Sequence, residues 1–548
     1  MFNKNIEALK NNRLKETLKN INIAEASKNV TFVETLDHNI VFLKNEIPVE
    51  ETTTPIEYIK SLITDEMKQF EKNDIIISVG FGVGYILDEL YSTVKSKIVI
   101  YEPDTNFLRF IFETIDLTSF LKDNRVFISD NKEECIKFIL KTYLNNDKVE
   151  FIQSKVLAIF YQEEMKDFTE ELYSKLKNKI VDINTIHLFA KKWVDNIVQF
   201  ISKDKKYYAV QALKDKFLGK TALVLGAGPS LEDNIEQIKE NRSKFTIFAV
   251  NKSLAYLEKE GIIPDFAIFG DAKNIVPSTQ ISTEFLSNIT AITDWKTDIN
   301  IEKLNPKNRC MYFSQNELFL SKYASELNIK LLPAVQSSTI LALYSAHLMG
   351  FSKIYLCGFD LVFKDNQAYA NTEDVTITDE KAVINYRAQN IVQVDTIKGV
   401  KANTREDYAI FIESLEELIK EFKINNLYNI TDFGALIKGM NYTSFDLINI
   451  WSEKIDVQDI LNQTKPCNAD FRSCLAKEKD TMNNIYSQIM NHAGIHSIIK
   501  LIIENTTLLY EYLQFDILEL VRNIDNQEYI DKFNTNCILA LDKILAIC

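Results

Sequence analysis

No run of about 18 consecutive apolar residues occurs in this 548-residue chain, so nothing in it reads as a membrane span. Its seven cysteines (Cys135, Cys310, Cys357, Cys467, Cys474, Cys537, Cys548) are odd in number and scattered, and no two form a CxxC pair. That excludes a disulfide framework or a zinc ribbon and fits reduced thiols in a cytoplasmic protein. Basic charge is short as well: 63 Lys and Arg against 77 Asp and Glu leave a net charge of −14. Binding along nucleic acid needs a basic surface, so a general nucleic-acid binder is excluded, although a local basic pocket is not. The opening residues, MFNKNIEALKNNRLKETLKN, are amphipathic and charged, without the apolar core of a signal peptide. The expectation is a cytoplasmic protein with no membrane insertion and no nucleic-acid partner. Also missing are a GxSxG elbow, a GxxxxGK[ST] phosphate loop, an HExxH pair, a fixed-period repeat and any low-complexity tract.

What the chain does have is a series of apolar runs that each end in small or polar residues. Residues 222–225 read as a strand ending in Gly226-Ala227-Gly228-Pro229-Ser230, with a helix after it. A second strand, 245–250, ends at Asn251, and a third, 266–269, ends at Gly270-Asp271. In an open parallel sheet, the carboxyl ends of the strands are where ligands bind. Glycines let a ligand approach the backbone, and a helix start presents free N–H groups to a phosphate. Pro229 suits a first helical turn, and Ser230 either caps that turn or donates to a phosphate. Asn251 offers both a donor and an acceptor to a base edge or ribose; Asp271 accepts from a hydroxyl or serves as a base. Both residue types also cap helices as ordinary structure. Ser337-Ser338-Thr339 precede the apolar helix ILALYSAHLMG, which places more hydroxyls at a helix start than a cap requires. Residues 353–360 form a strand ending in Gly358-Phe359-Asp360, followed by a polar loop, 364–378, that contains Tyr369. Asn403-Thr404-Arg405 precede a further helix, and a strand ends at Asn429 to Gly434.

The hydrophobic content of 46% is ample for packed cores. The length predicts about three or four domains. The pattern divides into a lead-in over 1–74, a Rossmann-like domain with helices over 75–218, a central catalytic domain over 219–440 and a helical domain over 441–548. The fold class is therefore multidomain α/β, with a central parallel Rossmann-like sheet. In the second segment a buried strand runs into Gly80-Phe81-Gly82-Val83-Gly84, and the next strand ends at Glu102. This pairing resembles the glycine turn and ribose-binding acid of methyltransferases and dehydrogenases, but a ligand-free structural turn is the first reading. The acidic segment 45–55 reads as a loop. His492 and His496 are four apart on an expected helix with no third ligand, so they do not make a metal site. His347 reads as a core histidine. Residues 496–524 are apolar on more than one face, as in a helix inside a bundle.

The segments GAGPSLE, FAVNKSL, IPDFAIFGD, IYLCGFDLVF and LYNITDFGALIKG resemble the motility-associated factor (Maf) flagellin glycosyltransferases. GFGVGY with IVIYEPD resembles the N-terminal domain of the same family. The likeness covers roughly residues 75–440. It implies transfer of a nonulosonic acid, pseudaminic or legionaminic, from its CMP-activated form to Ser or Thr of flagellin before export, for flagellum assembly and motility. A more distant likeness is to the bacterial CMP-sialic acid sialyltransferases. It implies donor contacts at Gly226, Gly228, Pro229, Ser230, Asn251, Ser337, Ser338, Thr339 and Tyr369. Tyr369 matches one of that family's pair of tyrosines; the other falls at Val362 or Phe363. The family's histidine base would lie near Val400 to Thr404, where this chain has none. The base is then a carboxylate at a strand end, Asp271 in preference to Asp360, which could instead cap the Gly358 turn. No cofactor beyond the CMP-sugar is implied, and metal assistance stays open. Two other classes share these features. GAGPSL also resembles the shorter archaeal 6-hydroxymethylpterin diphosphokinases, and the helical C-terminus would suit a non-catalytic flagellin-binding chaperone.

Overall fold

The computed structural model describes every residue except 145–146, 204, 274–279, 316, 335–336, 364–390 and 449–452. It resolves into two compact units, Met1–Leu188 and Phe189–Cys548, where the sequence pattern suggested four segments. Shared cores are the reason. In the first unit Ile6, Leu14, Leu18 and Val41 pack into one core with Ile75, Ile76 and Ile77, so residues 1–74 are part of a domain rather than a lead-in to one. Asn5 is fully buried and ties the first helix inward, donating to the carbonyls of Phe112 and Ile115.

The first unit begins with three antiparallel strands, β1 (Val30–Glu34), β2 (Ile40–Lys44) and β3 (Ile47–Pro48). A parallel sheet follows, built from β4 (Ile75–Val79), β5 (Lys97–Tyr101), β6 (Val126–Ser129) and β7 (Val149–Phe151) in the order β6-β5-β4-β7. The IIISV of β4 is buried at every position, as a strand covered on both faces must be.

The second unit is organised by one nine-stranded parallel sheet. Its strands are β8 (Tyr208–Ala209), β9 (Thr221–Leu225), β10 (Thr246–Val250), β11 (Phe266–Phe269), β12 (Thr290–Asp294), β13 (Asn308–Tyr312) and β14 (Lys353–Cys357). An antiparallel pair, β15 (Ile391–Asp395) and β16 (Lys401–Arg405), stands outside the sheet; β17 (Leu427–Ile430) and β18 (Asn441–Thr443) complete it. The order is β18-β17-β14-β9-β10-β11-β12-β13-β8. The chain steps outward from β9 to β13, then returns to lay β14 on the other side of β9. That reversal is a topological switch point, and in open α/β sheets ligands bind at such a point, outside the carboxyl ends of the strands.

The helix Ser338–Leu348 lies across β9, β10, β11 and β14. Helices between Phe471 and Leu545 share a core with Trp295, Phe313 and Phe319. The apolar stretch expected as one helix is two, Ile495–Asn505 and Leu508–Arg522. The buried Glu478 carboxylate receives the Thr507 N–H at 2.8 Å and holds the break open. His492 and His496 do not share a helix either: His492 lies beyond the end of Lys479–Met490 with φ +50°, and His496 is the second residue of the next helix, Ile495–Asn505. His347 is half-buried, and burial pushes its imidazole below the usual range.

Candidate active site

At the switch point two loops are laced together. The Gly226 N–H donates to the Cys357 carbonyl and the Gly228 N–H to the Gly358 carbonyl, each at 2.8 Å. A Cβ on Gly226 would stand 2.3 Å from the Gly358 oxygen, and one on Gly228 2.5 Å from the Asp360 carboxylate. Gly358 itself has φ +78°, where glycine is favoured. These glycines are required because two backbones touch there, a role the sequence reading did not assign to them.

Asp360 is the fastener. One of its carboxylate oxygens receives the Ser230 N–H at 2.8 Å and the other receives the Thr431 hydroxyl at 2.7 Å. Its backbone carbonyl accepts from the Ala435 N–H at 2.8 Å. The residue is 1% exposed, and burial raises its carboxyl above the usual range. Both carboxylate oxygens are thus engaged in holding the two loops together. Ser230 is also 1% exposed, and its hydroxyl accepts from the Gly358 N–H at 3.0 Å, so it points into the loop pair and not toward a phosphate. The helix expected after Pro229 is two short pieces, Ser230–Asp233 and Ile235–Glu240. The Asn234 amide donates to the Ser230 carbonyl at 2.7 Å and competes with helix continuation there.

The next strand ends form the open part of the site. Asn251 is buried and donates from Nδ2 to an oxygen of Asp271 at 2.8 Å. Asp271 is exposed, so a carboxylate held by an amide is open to solvent just past the end of β11. Ser253 bridges β9 and β10, its hydroxyl lying 2.8 Å from the Val250 carbonyl and 3.3 Å from that of Leu225. Ser337 caps its helix by accepting from the Ile340 N–H at 3.2 Å. Ser338 and Thr339 are half-buried, and a Cβ on Gly270 would lie 3.1 Å from the Ser338 hydroxyl. The structure thus brings together Asn251, Asp271, Ser337, Ser338 and Thr339, with Gly226 to Ser230 as the adjoining wall. Tyr369 lies outside the described residues.

One residue that the sequence reading passed over organises this edge. Asn196, fully buried on the helix Gln162–Ser202, donates to the carbonyls of Ala272 and Lys296, both at 2.8 Å. It pins the loops after β11 and β12, directly behind Asp271. Nothing in the sequence distinguishes it from any other helical asparagine. Near it, the ammonium groups of Lys296 and Lys273 lie 4.4 Å and 4.7 Å over the rings of Trp193 and Phe189. Among the described residues no group of three or more His, Cys, Asp or Glu side chains is placed to hold a metal ion.

Comparison with known proteins places this architecture. Residues 191–366 match the family described as 6-hydroxymethylpterin diphosphokinase MptE-like. An uncharacterized protein of Treponema pallidum (strain Nichols) is 43% identical over 58 residues, which are 11% of this chain; the chain spans 28% of that relative. The structure of a MAf glycosyltransferase from Magnetospirillum magneticum AMB-1 aligns with 100% of this chain and 94% of its own, with TM-score 0.65 and 15% identity. The chain has the fold of that MAf glycosyltransferase. Within the MAf fold, the MptE-like segment holds both the Asp360 fastener and the Asn251–Asp271 pair. Among the described residues no helix is long and apolar enough to cross a membrane.

Proposed function

We propose that the chain is a glycosyltransferase that moves a nonulosonic acid, pseudaminic or legionaminic, from its CMP-activated form to Ser or Thr hydroxyls of flagellin. The observation that carries this reading is an exposed carboxylate, Asp271, fixed by Asn251 at the switch point of a fold shared along the whole chain with a glycosyltransferase. In the reaction the bond from the sugar's anomeric carbon to the CMP phosphate oxygen breaks. A bond from that carbon to the acceptor oxygen forms, and CMP leaves with the electron pair. Asp271 takes the acceptor hydroxyl proton. The Ser337-Ser338-Thr339 helix start and Tyr369 stabilise the departing phosphate, where preorganised donors contribute most. Asn251 serves both sides: it orients Asp271 and borders the cytidine. The fastened Gly226–Gly358 loops form the rigid wall.

The test is the intact mass of flagellin co-expressed with this protein and each CMP-sugar pathway in turn. A nonulosonic-acid increment that disappears with Asn251→Ala is the expected result; no increment with either pathway overturns the reading. The MptE-like match favours a second reading, pyrophosphoryl transfer from ATP to a pterin alcohol. Formation of AMP with 6-hydroxymethylpterin would establish it, and calorimetry with CMP separates the two. Flagellin binding without any CMP binding would instead mark a chaperone.

A further inference from the structure

The glycine turn of the first unit is independent of the site just described. There β4 lies between β5 and β7, so its carboxyl end is a switch point of the kind at which Rossmann-like units hold nucleotides. Gly80, Gly82 and Gly84 have φ of +96°, +60° and +96°, and the nine-residue helix Tyr85–Thr93 begins at once, with no side-chain cap. Glu102 follows β5, where an acid takes ribose hydroxyls in such folds.

Each of these ligand positions is filled by the chain itself. Tyr161 donates its hydroxyl to Glu102 at 2.5 Å, as a ribose hydroxyl would. The same carboxylate receives the Phe81 and Asp104 N–H groups at 2.8 and 2.9 Å. A Cβ on Gly80 would lie 2.8 Å from Leu157 and 2.9 Å from the Tyr161 ring. A Cβ on Gly82 would lie 2.0 Å from a carboxyl oxygen of Glu50. Glu50 is fully buried, and neither of its carboxyl oxygens has a hydrogen-bond partner. Burial pushes this carboxyl up to about 8; the Val83 amide offsets part of the shift without reaching hydrogen-bond geometry. A buried polar group left unpaired is costly, yet this one sits over the glycine that would face a phosphate. Lys44 of β2 pairs with Asp104 and lies 5.6 Å from the Tyr161 ring centre, strapping the same edge.

We infer that this crevice is a ribonucleoside site shut by the chain's own side chains, with Tyr161 standing in for a ribose hydroxyl on Glu102 and Glu50 occupying the place of a phosphate on Gly82. The ligand class follows from the two carboxyls. Glu102 accepts from hydroxyls, and the Glu50 carboxyl fills the space over Gly82 that a phosphate would need, so the crevice opened at Tyr161 takes a ribonucleoside rather than its diphosphate.

The experiment is calorimetry on the full chain with adenosine and ADP as probes and saturating CMP present, so that the proposed transferase site does not contribute. Tyr161→Ala is expected to bind adenosine at least tenfold more tightly than the wild type, and more tightly than it binds ADP. Adding Glu102→Gln to that variant is expected to remove the gain. If Tyr161→Ala does not fold by circular dichroism, Tyr161→Leu removes the same hydroxyl from Glu102 and the same ring from Gly80 with less loss of packing, and carries the same expectation. A folded variant that gains no adenosine binding, that prefers ADP, or whose gain survives Glu102→Gln overturns the inference. So does a wild type that already binds adenosine as tightly as the variant. None of these outcomes depends on whether the second unit transfers a sugar.

Discussion

At the scale of single residues, Asp271 and Asp360 show how the same side chain at equivalent strand ends takes opposite parts. Asp271 is exposed with an amide on one oxygen; Asp360 is buried with donors on both. Asp271→Asn is expected to lower transfer by roughly 10²- to 10⁴-fold, the span of a lost general base, while CMP affinity measured by calorimetry stays within a factor of about two. Retained transfer would move the base elsewhere. Asn251→Ala is expected to weaken CMP binding by about tenfold, from one lost hydrogen-bonding side chain at about 1–2 kcal/mol; unchanged affinity in the same titration would remove it from the site.

At the scale of elements, the two loops after β9 and β14 behave as one piece because backbone meets backbone at Gly226, Gly228 and Gly358. Gly226→Ala drives a methyl into the Gly358 carbonyl, where no flexible side chain can yield. Asp360→Ala leaves the Ser230 N–H and the Thr431 hydroxyl without their acceptor. Each substitution is expected to reduce the free energy of unfolding by about 2–3 kcal/mol in urea titrations. Asp360→Asn keeps an acceptor and is expected to recover part of the loss. If Asp360 were the base instead, Asp360→Asn would abolish transfer under conditions where the variant is still fully folded.

At the scale of the whole molecule, several carboxyls are buried in a protein of net charge −14. Desolvation lifts Glu50 to about 8 and Glu102 to about 7 from an ordinary 4.5. It also raises Asp294 and Glu511, with the Glu317 charge adding to the effect at both. Between pH 4.5 and about 8 the folded state therefore holds protons that the unfolded state has released. Stability falls as pH rises through that window. Glu134, lowered to about 2 chiefly by Arg13, works the other way, but its contribution is lost only below pH 4.5. The expected result by differential scanning calorimetry is a Tm that declines from pH 5 to pH 8.5. Glu50→Gln is expected to flatten that slope and stabilise the protein at the alkaline end by a few kcal/mol. A slope unchanged by Glu50→Gln would mean that Glu50 is ionised in the fold.

The strands and their polar ends were legible in the sequence because a strand buried on both faces is a continuous apolar run, and β4, β9, β10 and β11 are each such a run. The helix start at Ser337 was legible for a related reason: a hydroxyl before an apolar helix has a local job. What only the tertiary structure decided was which partner each polar group finds. Ser230 and Asp360 are 130 residues apart and bind each other; Asn196 and Ala272 are 76 apart; Glu50 presses on Gly82 across the first unit's own fold. A sequence places a residue on an element, and local hydrogen bonds and periodicity act within a few residues. Burial and pairing depend on which elements the sheet order brings side by side, and that order is set by packing across the whole chain.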